Sequence, residues 1–222
     1  MHTKKITLFL ILLSVVVSVL DLSRLDIWGA ANLLYLIWNL CLAWIPYIIS
    51  LFFFKKDLSL KLFLPLFIIW LLFFPNAPYL VTDVEHISAG SPALWYDSLL
   101  YFFFGWIGLM LGVLSLSHVH SYLRARMEKW LSELCIICIC FVSSFGIYLG
   151  RFERWNSWDV FLDPLSLIRH FTHISASTAH SGAIFLIVMV FTVFIYAVYK
   201  TMCVFLNDAH HCNPSSIEVE SN

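Results

Sequence analysis

Phe145-Gly146-Ile147-Tyr148-Leu149-Gly150-Arg151-Phe152-Glu153-Arg154-Trp155-Asn156-Ser157-Trp158-Asp159 is the stretch on which the reading of this chain turns. An apolar segment runs here, without loop-like filler, into two arginines, two tryptophans, an asparagine and an aspartate. Aromatic and charged residues packed so densely where a membrane span meets water exceed what anchoring requires. They mark the rim of a polar site and show which face to examine.

Composition agrees with a membrane setting. The 222 residues are 61% hydrophobic and 12% charged, with a mean hydropathy of +0.86. Soluble domains carry about 25% charged residues, so this chain has too little polar surface to cover a water-soluble globule. A net charge of -1 offers no basic patch for nucleic acid. The expected partner is the lipid bilayer itself. Cys41, Cys135, Cys138, Cys140 and Cys203 lie in apolar runs and read as small hydrophobes, with no metal site assigned to them.

A hydrocarbon core of ~30 Å needs about 20 apolar residues in helical form. Six stretches meet or approach this: Ile6–Leu20, Ile27–Phe54, Leu62–Leu80, Leu99–Ser117, Trp130–Gly150 and Ala183–Leu206. The fold class is therefore all-α, a polytopic membrane helix bundle of about six transmembrane helices. The first stretch follows Lys4 and Lys5 but ends without a small-residue cleavage site, so it reads as a retained span. Residues 1–206 are expected to form a single transmembrane domain, followed by a polar cytoplasmic tail over 207–222 that reads as disordered.

Lysines and arginines set the orientation. With the N-terminus inside, Lys4, Lys5, Lys55, Lys56, Lys61, Arg124, Arg126, Lys129 and Lys200 are inner, and Arg24, Arg151, Arg154 and Arg169 are outer. Both termini are thus expected in the cytoplasm. Asn39 is expected to hydrogen-bond between helices. Gly108-x-x-x-Gly112 and Gly146-x-x-x-Gly150 permit close helix approach. The first and sixth spans, with only scattered small polar residues, read as lipid-facing, leaving spans two to five as the core.

The polar residues gather at the outer side. Leu62 to Phe74 supplies a helix of only ~20 Å before Pro75-Asn76-Ala77-Pro78-Tyr79. Two prolines remove two N–H donors, and Ala77 before Pro78 is biased out of the α region. The third span is therefore expected to be discontinuous, with Asn76 and Tyr79 aimed at something polar. Asp83 and His86 follow it, and Asp97 opens the fourth span, level with Arg151, Arg154, Trp155, Asn156, Trp158 and Asp159. Were residues 151–159 helical, Arg151, Trp155 and Trp158 would share a face. Asp163 and Pro164 start a short amphipathic interfacial helix in the last outer loop, carrying His170 and His173.

Four motifs in order give the chain a likeness. They are Trp38-Asn39-Leu40-x-Leu42-Ala43-Trp44-Ile45-Pro46-Tyr47, Phe74-Pro75-Asn76-Ala77-Pro78-Tyr79-x-x-Thr82-Asp83-x-x-His86, Trp95-Tyr96-Asp97 and Phe145 to Asp159. In these the chain resembles the bacterial multi-pass membrane proteins of the domain-of-unknown-function 1361 family, over roughly residues 33 to 175. The resemblance implies a bacterial cytoplasmic membrane and carries no catalytic role or cofactor with it.

Three functions fit these residues. A membrane enzyme acting on a lipid or anionic headgroup would use Asp83, His86 and Asp97 as catalytic candidates. Its ligand would be held by Asn76, Tyr79, Arg151, Arg154, Trp155, Asn156, Trp158 and Asp159. A small-solute transporter or channel would exploit the broken third span, although the inner halves of the spans read as lacking ionisable residues except Glu133. A non-catalytic scaffold or accessory subunit would bind headgroups or a partner through the same arginines and tryptophans. In all three, Arg151 or Arg154 is expected to pair with Asp83 or Asp97 across spans, because an unpaired charge at that depth is costly.

Overall fold

The computed structural model describes residues 2–28, 34–54, 59–87, 91, 93–155 and 178–211. Its helices are α1 (His2–Trp28), α2 (Leu34–Ser50), α3 (Leu60–Phe73), α4 (Asn76–Tyr79), α5 (Leu94–Arg124), α6 (Lys129–Phe152) and α7 (Thr178–His211). Turns of 3-10 helix extend α2 over Leu51–Phe54 and α4 over Leu80–His86. Six of the resulting rods are long and apolar enough to cross a membrane, the third of them spanning Leu60 to His86 as α3, α4 and the 3-10 turns in succession. The amphipathic helix expected at 163–173 and most of the tail lie outside the described residues, while α7 continues to His211.

α5 is the axis of the bundle. In its apolar window 61% of residues are buried, against 22% in those of α1 and α7. Its first half packs Leu100, Phe104, Ile107 and Leu111 against Leu36, Leu40 and Tyr47 of α2 and Leu10 and Val17 of α1. Its second half packs Leu116, Val119 and Tyr122 against Phe63 and Trp70 of α3, Ile136 of α6 and Tyr199 of α7. The Phe63 and Tyr122 rings stack with centroids 4.0 Å apart. Trp70, fully buried, donates its indole N–H to Ser115 Oγ at 2.7 Å, and Ser115 donates in turn to the Pro46 carbonyl at 3.0 Å. Three helices are thus stitched at mid-depth, where an unpartnered indole N–H would be costly.

The third span breaks as expected but differs in detail. Pro75 and Pro78 divide it into α3, α4 and the 3-10 turns, yet Ala77 stays helical and does not leave the α region. Its N–H bonds the Phe74 carbonyl at 3.1 Å, and its own carbonyl lies against Gly108 of α5. The preference of a pre-proline residue is a weak one, and close packing on α5 overrides it. Gly108 has room for no side chain. A Cβ there would run into the Ala77 carbonyl oxygen and come within 2.8 Å of Leu80 Cδ1. At Gly146 a Cβ would meet Pro75 Cγ at 2.8 Å. Gly112 and Gly150 face ordinary contacts, 3.4 Å at the nearest.

The expected core of spans two to five is also too narrow. α1 contributes Leu10 and Val17 to the packed core and carries buried Asp21 and Arg24 near its second end. Crowding at Gly108 yields a direct expectation. Gly108→Ala should lose about 1–3 kcal/mol of stability through overpacking, read as a lower thermal unfolding temperature in detergent, whereas Gly112→Ala should be tolerated. Equal unfolding temperatures for the two variants would contradict this packing.

Candidate functional site

At the end of the bundle where α6 stops, Arg151 is the centre of a polar cluster. Its Nη2 lies 2.6 Å from Asp83 Oδ1, and both side chains are nearly closed to solvent, at 7% and 2% exposure. Asp83 accepts a second bond on Oδ2 from Asn39 Nδ2 at 3.1 Å. Arg151 Nε and Nη2 also donate to Thr82 Oγ1, at 3.0 and 2.5 Å. Thr82 can serve as acceptor because its own proton goes to the Tyr79 carbonyl at 2.6 Å. The guanidinium carbon stands 4.5 Å from the centroid of the Tyr79 ring, a cation–π distance. The Tyr79 ring lies beside Gly150, where a Cβ would meet Tyr79 Cε2 at an ordinary 3.4 Å.

Each contributor is placed by local sequence. The 3-10 turns after Tyr79 bring Thr82 and Asp83 round toward α6 and leave Glu85 and His86 exposed. Nη1 of Arg151 points to this rim, 3.4 Å from His86 Nδ1, which must accept. The His86 ring rests beside Tyr35 of α2, whose hydroxyl is 2.6 Å from the Tyr101 hydroxyl of α5. The expected hydrogen bond of Asn39 between helices is thus made from α2 to Asp83 of the third span.

α6 ends at Phe152, so Trp155 lies past its end and does not share a helical face with Arg151. The Glu153 and Trp155 N–H groups both return to the Leu149 carbonyl, at 3.2 and 3.1 Å. Arg154 makes this reversal at φ 57°, the left-handed region usual for a residue just past a helix end. Its side chain is exposed. Trp155 is half-buried with its carbonyl near Gly150. Asn76 is half-buried and donates to the Phe73 carbonyl at 2.9 Å. Asn156, Trp158 and Asp159 lie outside the described residues.

The expected pairing of Arg151 with Asp83 is present. Asp97 goes elsewhere: it joins Arg24 of α1, through Nε to Oδ1 and through Nη2 to Oδ2 at 2.7 Å, and Ser91 Oγ donates to it at 2.6 Å. Arg24 had read only as an outer residue, and it lies within α1. Its approach to Asp97 is bidentate, the arrangement in which arginine and carboxylate fit best.

At the opposite end a third cluster corrects the expectation of inner halves poor in ionisable residues. His118 and His120 of α5 are buried there. His120 Nδ1 is 2.6 Å from the Tyr199 hydroxyl, and its Nε2 lies 3.7 Å from Glu133. Lys200 of α7 binds both oxygens of Glu133, at 2.7 and 2.6 Å. His118 Nδ1 is 2.8 Å from Ser50 Oγ.

Of the catalytic candidates, Asp83 has both oxygens engaged and is shut from solvent, which suits it to holding Arg151 in place. His86 is the exposed member of the cluster. Residues 38–198, which include Asn39, Asp83, Asp97 and Arg151 but not Arg24, match the family described as Protein of unknown function (DUF1361). No curated protein and no solved structure gives a match.

Removing one member of a buried ion pair strands the other at a cost of about 3–5 kcal/mol. Asp83→Ala should therefore destabilise the protein more than Asp83→Ala combined with Arg151→Met. A double-mutant cycle followed by thermal unfolding reads this out, and additive losses would show the pair to be uncoupled.

Proposed function

The chain belongs to the DUF1361 family of proteins of unknown function, and we propose that it is a multi-pass membrane protein whose Arg151 end binds the anionic headgroup of a lipid. The observation that carries this reading is the division of the Arg151 guanidinium. One edge is committed to Thr82 and Asp83, and Nη1 faces the exposed rim beside His86. A planar guanidinium held rigid from behind is suited to phosphate oxygens. Exposed Arg154 stands three residues on and offers a second cation at the same level.

The location suits a headgroup. α6 ends at this point, and tryptophan flanks it at Trp155, with exposed Trp95 at the start of α5. Tryptophans of this kind sit at headgroup depth. The bias of lysine and arginine toward the other segments supports a bacterial cytoplasmic membrane with both termini inside, which puts the Arg151 end on the extracytoplasmic face.

A small-solute transporter is the second reading. The feature favouring it is the Glu133–His120–Lys200 cluster at the other end, since ionisable groups at both ends are what a path across the membrane needs. Flux of a solute into proteoliposomes, abolished by Glu133→Gln and insensitive to anionic lipid, would favour that reading over headgroup binding.

Headgroup binding has its own test. A basic residue near an anionic surface is worth about 1 kcal/mol, so Arg154→Ala should reduce retention of phosphatidylglycerol on the purified protein about fivefold. His86→Ala should reduce it further, with phosphatidylcholine retention unchanged. Equal retention of the two lipids by the natural protein would defeat the proposal.

A further inference from the structure

Beside the Arg24–Asp97 pair lies a buried carboxyl group with nothing bonded to it. Asp21 of α1 is 3% exposed, and neither Oδ1 nor Oδ2 has a hydrogen-bond partner. Buried polar atoms are nearly always paired, and an uncompensated carboxylate is among the costliest groups to leave bare. Arg24 is three residues further along the same helix and so shares its face. Its guanidinium, however, is turned to Asp97 of α5. Asp21 is within electrostatic reach of both Arg24 and Asp97.

Among the described residues, charge accounting then comes out one short. Two carboxyl groups, Asp21 and Asp97, share one guanidinium. The described polar groups bonded nearby are neutral hydroxyls. On α5, Tyr96 donates to the Leu20 carbonyl at 2.7 Å and lies 3.3 Å from Ser23 of α1, and Tyr101 pairs with Tyr35 of α2. Ser91 already serves Asp97. Among the described residues of this cluster, Arg24 is the single cation.

We propose that Asp21 is the binding site for one monovalent positive charge, either a proton on the carboxyl or a sodium-sized cation at its two unpartnered oxygens. One such charge completes the count, where a divalent ion would overshoot it. Carboxylate oxygens are hard donors and suit a hard cation. Occupancy also bears on packing. With the charge bound, Arg24 remains on Asp97 and clamps α1 to α5. Without it, Asp21 competes for the guanidinium within its own helix and the clamp between helices weakens. The site holds none of Asp83, His86 or Arg151, so neither proposal stands or falls with the other.

The experiment uses the full chain in detergent, with aspartate carboxyls labelled with carbon-13. Infrared difference spectra are taken between acid and alkaline buffers, and thermal unfolding is followed in sodium chloride against choline chloride at matched ionic strength. If a proton is bound, the natural protein shows a labelled protonated-carboxyl band that is missing from Asp21→Asn, and sodium has no effect beyond choline. If sodium is bound, it raises the unfolding temperature of the natural protein and not that of Asp21→Asn. Asp21→Glu keeps a carboxyl at the site while removing it from the labelled set, and it gives the same discrimination should Asp21→Asn fail to fold. Absence of both the Asp21 band and a sodium response would overturn the proposal.

Discussion

The ion pair between Arg151 and Asp83 ties the end of α6 to the least regular part of the bundle, the 3-10 turns that finish the third span. Those turns have a poorer hydrogen-bond ladder than an α-helix, and backbone of that kind survives at membrane depth only when protein surrounds it. The pair supplies part of that surround. Asn39 completes it from α2, and the carbonyl of Ala77 seated on Gly108 completes it from α5. Buried charge, irregular backbone and missing side chain thus depend on one another. Each would be a defect alone.

A similar economy holds at α1. This helix buries few of its residues, and an apolar helix gains little by leaving lipid for protein, because lipid tails are as apolar as leucine. Its attachment rests instead on polar contacts with defined geometry. At one end Arg24 meets Asp97. At the other, Thr7 and Tyr47 hydroxyls stand 2.5 Å apart, and between them Trp44 donates to Ser14 at 3.2 Å. The chemistry that makes these groups costly in lipid is the same chemistry that holds the helix in place.

Much of this was legible in the residues. Six apolar stretches declare six spans, and two prolines three residues apart declare the break in the third. Arg151 and Asp83 were linked because each ends an apolar run on the same side and each needs a partner. The pairing of Arg24 with Asp97 was not read because hydropathy locates where lipid ends, not where helix ends, and α1 continues past its apolar stretch to Trp28. The buried histidines were overlooked for a related reason. Ser115, Ser117, His118, His120 and Ser121 resemble a softening span end, and nothing in one strand of sequence shows that α2, α6 and α7 close over them. Ala77 shows the limit of a local rule, since its conformation is decided by a glycine thirty-one residues away.

The length of α5 carries a consequence for the membrane around it. Its 31 residues rise about 46 Å at 1.5 Å each, against a hydrocarbon layer of ~30 Å. From Asp97 to His120 the axis covers about 35 Å on the same basis, so the ion pair at one end and the histidine cluster at the other bracket the oily layer with little to spare. Two polar collars on one stiff rod act as a gauge of bilayer thickness. In a thinner bilayer the rod must lean, and leaning moves the collars sideways relative to the shorter helices bonded to them.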